Sequence, residues 1–147
     1  MPRQIESGEV HVARRGYGLH RWVNDKTPGS DSVVLTDATL VYNIPAGKQV
    51  LITSLNFDLI TVSDDVHISL VSCSAVDGGG DATDISGHVH LFTGTTVDGA
   101  ASKERPFNPP LHVTHTSGAR SISMRVKAND AAAVISIGWH GWVENEL

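Results

Sequence analysis

The sequence predicts an all-β protein: an antiparallel two-sheet β-sandwich, jelly-roll-like, with an extended N-terminal arm. Three observations point there. Apolar residues recur at every second position in several windows. Turns containing Gly or Pro separate those windows. No window carries the period of an amphipathic helix. Ala131-Ala132-Ala133 is too short to stand as a helix. The 147 residues suit a single core, divided into an arm over 1–30 and a sandwich domain over 31–147.

Taken in order, Glu9–Ala13, Leu19–Val23, Ser32–Leu35 and Thr39–Ile44 are short candidate strands. In Leu51–Leu59, alternation places Leu51, Thr53, Leu55, Phe57 and Leu59 on one face and Ser54, Asn56 and Asp58 on the other. Val66, Ile68 and Leu70 alternate with His67 and Ser69, and His88–Phe92 and Leu111–His115 are shorter candidates. Ile122, Met124 and Val126 alternate with Ser121, Ser123, Arg125 and Lys127. In the last window Ile135, Ile137, Trp139 and Val143 share an apolar face, with Gly141 among them. Ser136, Gly138, His140 and Trp142 share the opposite face. Trp139 is therefore expected in the core.

The connections follow from turn chemistry. Pro45-Ala46-Gly47-Lys48 predicts a tight reversal, since Pro fixes φ and Gly supplies the permissive position. Ser63-Asp64-Asp65 and Asn129-Asp130 read as hairpin turns. Asp77-Gly78-Gly79-Gly80-Asp81 reads as a flexible surface loop. Thr95–Pro110 is the longest irregular stretch, and its closing prolines suit a connection entering an edge strand.

Composition limits function. The chain has 11 Lys and Arg against 16 Asp and Glu, a formal net charge of −5, so a general polyanion binder is not expected. No run reaches the roughly 18 apolar residues of a membrane span, and Met1–Glu6 lacks the apolar stretch of a signal peptide. The expectation is a soluble protein with no nucleic-acid or membrane partner. The lone Cys73 excludes an intramolecular disulfide and sits where a small buried hydrophobe would. Charge is uneven: residues 1–30 hold Arg3, Arg14, Arg15, Arg21 and Lys26 against Glu6, Glu9 and Asp25. Residues 31–98 hold nine Asp against Lys48 alone. The leading segment is either a solvated terminus or an arm that reaches an acidic neighbour, another copy included.

Motifs for chemistry are weak. His88 and His90 form a His-x-His pair, with His112 and His115 on a second candidate strand, which invites comparison with the metal-binding cupins. Their leading Gly is missing at the required distance before His88, and no Glu follows His90 at the required spacing. Asp77, Asp81 and Asp84 flank the Gly-rich loop without EF-hand spacing. No Gly-x-Ser-x-Gly and no phosphate-cradling loop occur. No catalytic residue, cofactor or metal is expected. Arg14-Arg15-Gly16-Tyr17-Gly18-Leu19-His20-Arg21-Trp22 mixes basic and aromatic residues, and Trp142 and His140 lie on the polar face of the last strand. Arg14, Arg15, Tyr17, Arg21, Trp22, His140 and Trp142 are the candidate interface residues. Trp142 is either covered by a loop or buried against another subunit.

One stretch has a familiar form. Tyr42-Asn43-Ile44-Pro45-Ala46-Gly47-Lys48-Gln49-Val50-Leu51-Ile52-Thr53-Ser54-Leu55 resembles the strand–turn–strand that opens the sandwich of many small bacteriophage virion proteins. Phe107-Asn108-Pro109-Pro110-Leu111, Ser121–Lys127 and Ala132–Glu144, with its late Gly141-Trp142 pair, resemble their closing strands. The likeness spans about residues 40–147, apart from the Gly-rich loop. It implies a non-enzymatic head decoration (cement) protein, or a related neck or tail component, found in the virion after assembly in the host cytoplasm. The implied partners are copies of the chain, as a homotrimer, and a major capsid protein. The alternatives are a carbohydrate- or receptor-binding module of a tail fibre and a cupin-like metal-binding protein.

Overall fold

The computed structural model describes residues 18–62, 65–87, 89–91, 97–129 and 132–147, with the backbone alone for 89–91 and 97–103. Ten strands are described: β1 Gly18–Lys26, β2 Val33–Val34, β3 Tyr42–Asn43, β4 Lys48–Val62, β5 Val66–Cys73, β6 Ala82–Asp84, β7 Val89–Leu91, β8 Val97–Thr114, β9 Ser121–Ala128 and β10 Val134–Asn145. A 3-10 turn at Val76–Gly78 lies between β5 and β6. One sheet runs β1-β10-β4-β8; the other runs β2-β9-β5-β6, with β3 also on β9 and β7 also on β5. Every pairing is antiparallel. The predicted antiparallel sandwich is the fold.

The core lies between the sheets. Ile135, Ile137 and Trp139 of β10 face Ile68, Leu70, Ile122, Met124 and Val126 of the second sheet, all fully or almost fully buried. Among the described residues Trp139 is the largest buried side chain, and its Nε1–H donates to the Leu40 carbonyl at 3.1 Å. That bond satisfies the one polar atom of the indole. Cys73 is buried, as its apolar setting predicts, and burial pushes its thiol pKa up.

Several expectations need correcting, each for a physical reason. Leu51 does not share the inward face with Leu55, Phe57 and Leu59. In β4, Ile52 and Ser54 face the consecutive residues Gly141 and His140 of β10, so Thr53 is an extra residue, a β-bulge. The bulge reverses the alternation. Val50 and Ile52 point inward before it, and Leu55, Phe57 and Leu59 after it.

Thr95–Pro110 is not mainly irregular: residues from Val97 onward form β8, at the edge of the four-stranded sheet. An edge position spares Pro106, Pro109 and Pro110 the need to donate on both sides. Pro106 faces Ser54 and Leu111 faces Ile52, so Phe107–Pro110 bow out opposite Thr53 alone.

Ser63-Asp64-Asp65 and Asn129-Asp130 do not close hairpins. β4 and β10 are in one sheet and β5 and β9 in the other, so both connections cross between sheets. Asn129 N–H donates to the Asp65 carbonyl at 2.9 Å, holding the two crossings together. Ser63, Asp64 and Asp130 lie outside the described residues. Pro45–Lys48 does turn tightly, through Lys48 N–H to the Pro45 carbonyl and a positive φ at Gly47, and it too joins the sheets.

The Gly-rich loop is pinned rather than flexible. Asn43 and Asp77 exchange two hydrogen bonds at 2.8 Å, Gly78 N–H donates to Ser121 Oγ, and Asp81 N–H donates to Ser74 Oγ. Only Tyr42–Asn43 of the Thr39–Ile44 candidate forms a strand. The residues before it turn on the Asp37 carbonyl, which accepts from Leu40 and Val41. Within residues 1–30, Gly18–Lys26 belongs to the sheet, registered with β10 from Gly18–Trp142 to Lys26–Ile135. Residues 1–17, with the Glu9–Ala13 candidate, lie outside the described residues.

Candidate protein interface

The outer face of the four-stranded sheet gathers the aromatic and imidazole side chains. Cross-strand register sets its rows. Trp142 of β10 stands beside Leu51 of β4, which stands beside His112 of β8. In the next row His20 of β1 faces His140, which faces Ser54. Beyond it Trp22 faces Gly138, followed by Asn56 and Glu104. Trp22, Leu51, His140 and Trp142 are each half-buried within one chain.

Glycine makes room for the first indole. A Cβ at Gly138 would overlap the Arg21 carbonyl oxygen and Cε3 of the Trp22 ring. Trp22 therefore lies flat on the strand, and its Nε1–H donates to Asn24 Oδ1 at 2.6 Å. The second indole is held by a polar chain. Trp142 Nε1–H donates to Glu144 at 3.2 Å, and Gln49 Nε2 donates to the other oxygen of that carboxylate at 2.8 Å. Gln49 Oε1 is thereby left to receive His112 Nε2–H at 2.5 Å. The buried Gln49 is the hub of this network.

Between the indoles sit the two imidazoles. The rings of His20 and His140 have centroids 4.5 Å apart and meet edge to face at 73°. His20 also lies 6.3 Å from the Trp22 ring. Partial burial, then the neighbouring His20, lowers the pKa of His140, with Glu104 opposing. By alternation the described residues of this face carry the carboxylates of Asp58, Glu104 and Glu144 and no Lys or Arg.

Trp22, His140 and Trp142 of the seven candidate residues thus share one surface. Arg21 does not join them. It points to the other side of β1, where its guanidinium donates to the Ala38 carbonyl and, at 2.5 Å, to that of Val41. It fastens the 37–41 turn to the sheet edge, together with Trp22 N–H to the Thr39 carbonyl. Arg14, Arg15 and Tyr17 lie outside the described residues. Sequence reasoning missed Leu51 and Gln49, because the Thr53 bulge that turns Leu51 outward leaves no compositional mark, and it weighed His112 only as a metal ligand. It also passed over His20, although alternation from Trp22 was enough to find it.

Among the described residues, His90 and His112 fall in different sheets. His90 is registered with His67 in the six-stranded sheet, and His112 with Leu51 in the other. His88 lies outside the described residues. The Asp residues of the calcium alternative are drawn apart: Asp77 to Asn43, and Asp84 to Arg125 at 2.7 Å. A cleft of about 170 Å³ opens on the second sheet between Ser32, His67, Arg125 and Lys127. Arg125 there is already engaged by Asp84.

No family model and no curated protein matches the chain. Solved structures do. A chain of the T13 particle of infectious bursal disease virus superposes with a TM-score of 0.51 at 13% identity, over 88% of this chain and 30% of that one. The likeness is one of fold, and this chain spans less than a third of the viral one. Tobacco streak virus coat protein (TM-score 0.44, 9% identity, 88% of this chain and 85% of that one) is a looser match. So is the CBM22-1 xylan-binding domain of Paenibacillus barcinonensis Xyn10C (0.38, 11% identity, 88% and 82%). Neither of these two bears on the argument.

Proposed function

We propose that this chain is a non-enzymatic structural protein of a virion: a capsid decoration, or cement, protein that associates with copies of itself, as a trimer, and packs on the major capsid protein. The observation that carries this reading is the outer face of the four-stranded sheet. It sets Trp22 and Trp142 either side of the edge-to-face imidazole pair of His20 and His140. Such a face works by being covered: indoles seated against a neighbour supply most of the association energy of a small interface. The rigid sandwich behind it presents those side chains in fixed positions, which suits a part that binds once and stays. The fold likeness to a chain of a viral particle, and the resemblance of residues 40–147 to small phage virion proteins, agree with that role.

Quantitative mass spectrometry of purified particles tests the reading. A head decoration protein is present in hundreds of copies, and a neck or tail component in a handful. Absence from the particle overturns the proposal. Glycan capture through Trp22 and Trp142 by a chain that stays monomeric would transfer this face to the tail-fibre saccharide module.

A further inference from the structure

The face described above has a chemistry that specifies its occupant. It is aromatic along β1 and β10 and acidic beyond them. Asp58 stands on β4 and Glu104 on β8, with no Lys or Arg among the described residues of the face. Glu144 is already engaged by Gln49 and Trp142. A fitting partner brings cations and an aromatic ring close together. The chain carries such a segment immediately before β1: Arg14-Arg15-Gly16-Tyr17.

The position of β1 decides which copy receives it. β1 is the edge strand and begins at Gly18, registered with Trp142. Glu104 stands on the opposite edge, in the row of Trp22. That is three strand spacings across, about 14 Å, and four residues along, about 13 Å, or roughly 20 Å in all. From Gly18 back to Arg15 or Arg14, a fully extended backbone spans about 10–14 Å, and only the full length of the side chains would make up the separation. The backbone would also have to reverse over its own sheet edge. Arg14–Tyr17 stay within that span of Gly18, so the receiving face belongs to a copy that sits directly beside the β1 edge.

We propose that Arg14-Arg15-Gly16-Tyr17 of one copy seats on the outer face of the four-stranded sheet of a second copy, with the guanidiniums on Glu104 and Asp58 and Tyr17 against the indoles. This rests on the reading that the chain self-associates through that face. It makes the contact heterologous, arm to face, which is the kind that closes into rings such as a trimer.

Charge reversal is the test, read as mass and dissociation constant by sedimentation equilibrium of full-length chains. Circular dichroism and melting confirm that each variant is folded. R14E/R15E and, separately, E104R each weaken self-association by roughly tenfold or more. Combining R14E/R15E with E104R in one chain restores it, because every arm then meets a face of opposite charge on the next copy. The native assembly loosens with added salt. If the native chain assembles and Trp142→Ala dissociates it, but R14E/R15E does not, the arm is not the occupant and the reading of the face survives. Failure of the combined variant to reassemble also overturns the arm-to-face contact. A native chain that is monomeric throughout removes the reading itself.

Discussion

At Gly138 a single missing carbon makes room for Trp22. Gly138→Ala would press a Cβ into the Arg21 carbonyl and the Trp22 ring, and both must move. We expect a loss of about 1–3 kcal/mol in urea unfolding, with Trp22 fluorescence altered in the native state. Trp139 lies one residue away on the other face and acts in the core. Trp139→Ala should cost about 3–5 kcal/mol, the range for emptying a large aromatic site. Its place was legible, because period-two patterning with Ile135 and Ile137 leaves it no other side. Leu51 was not legible, since one inserted residue two positions on reverses its face. His140 titrates with a definite sign. Its pKa in the folded chain lies below the ordinary imidazole value, so between the two the unfolded chain binds more protons. Stability is therefore full above the ordinary value and falls as pH drops from it towards the folded value. The melting temperature should decline from about pH 7.5 to about pH 5.5, and His140→Gln should flatten that decline. An unchanged slope in the variant would contradict the assignment.

At the scale of elements, strand existence was readable and strand partnership was not. Alternation in 51–59, 66–70, 121–127 and 135–143 marks four strands with a buried side, and all four are in the sandwich. Whether a turn closes a hairpin or crosses between sheets depends on contacts made elsewhere, by β10 on β4 and by β9 on β5. Ser63-Asp64-Asp65 carries no sign of that. The prolines of β8 misled for a similar reason, since they disqualify a central strand and not an edge one. The Gly-rich loop is ordered because its glycines fit a conformation. Gly80 has a φ of +72° and lies against Ser74, where a Cβ would overlap Oγ, whereas Gly29, Gly87 and Gly118 have positive φ in open space. Gly80→Ala should therefore destabilise by about 1–2 kcal/mol and exceed Gly118→Ala, as measured by thermal unfolding. Equal costs would mean that backbone conformation, and not the Ser74–Asp81 contact, sets the penalty.

For the whole molecule, the two sheets have different outer sides. The 3-10 turn and the 32–41 segment lie over part of the six-stranded sheet, where Ser121 Oγ donates to the Ala75 carbonyl and Ser123 Oγ to that of Leu35. The four-stranded sheet presents indoles and imidazoles outward. Three of the seven residues singled out from the sequence meet on that side, because aromatic residues on the polar face of a strand are conspicuous by their chemistry. Arg21 was conspicuous for its charge and is used internally, which only the position of the 37–41 turn reveals. The proposed function follows from that asymmetry: one side is partly covered by the chain itself, and the proposal has the other covered by copies of it. The most direct measurement is the mass of the purified full-length chain by sedimentation equilibrium across a wide concentration range, alongside Trp142→Ala. The account predicts a closed oligomer, a trimer, that Trp142→Ala weakens by about 2 kcal/mol or more per contact. A native chain that sediments as a monomer at its highest soluble concentration, or an oligomer indifferent to Trp142, would contradict it.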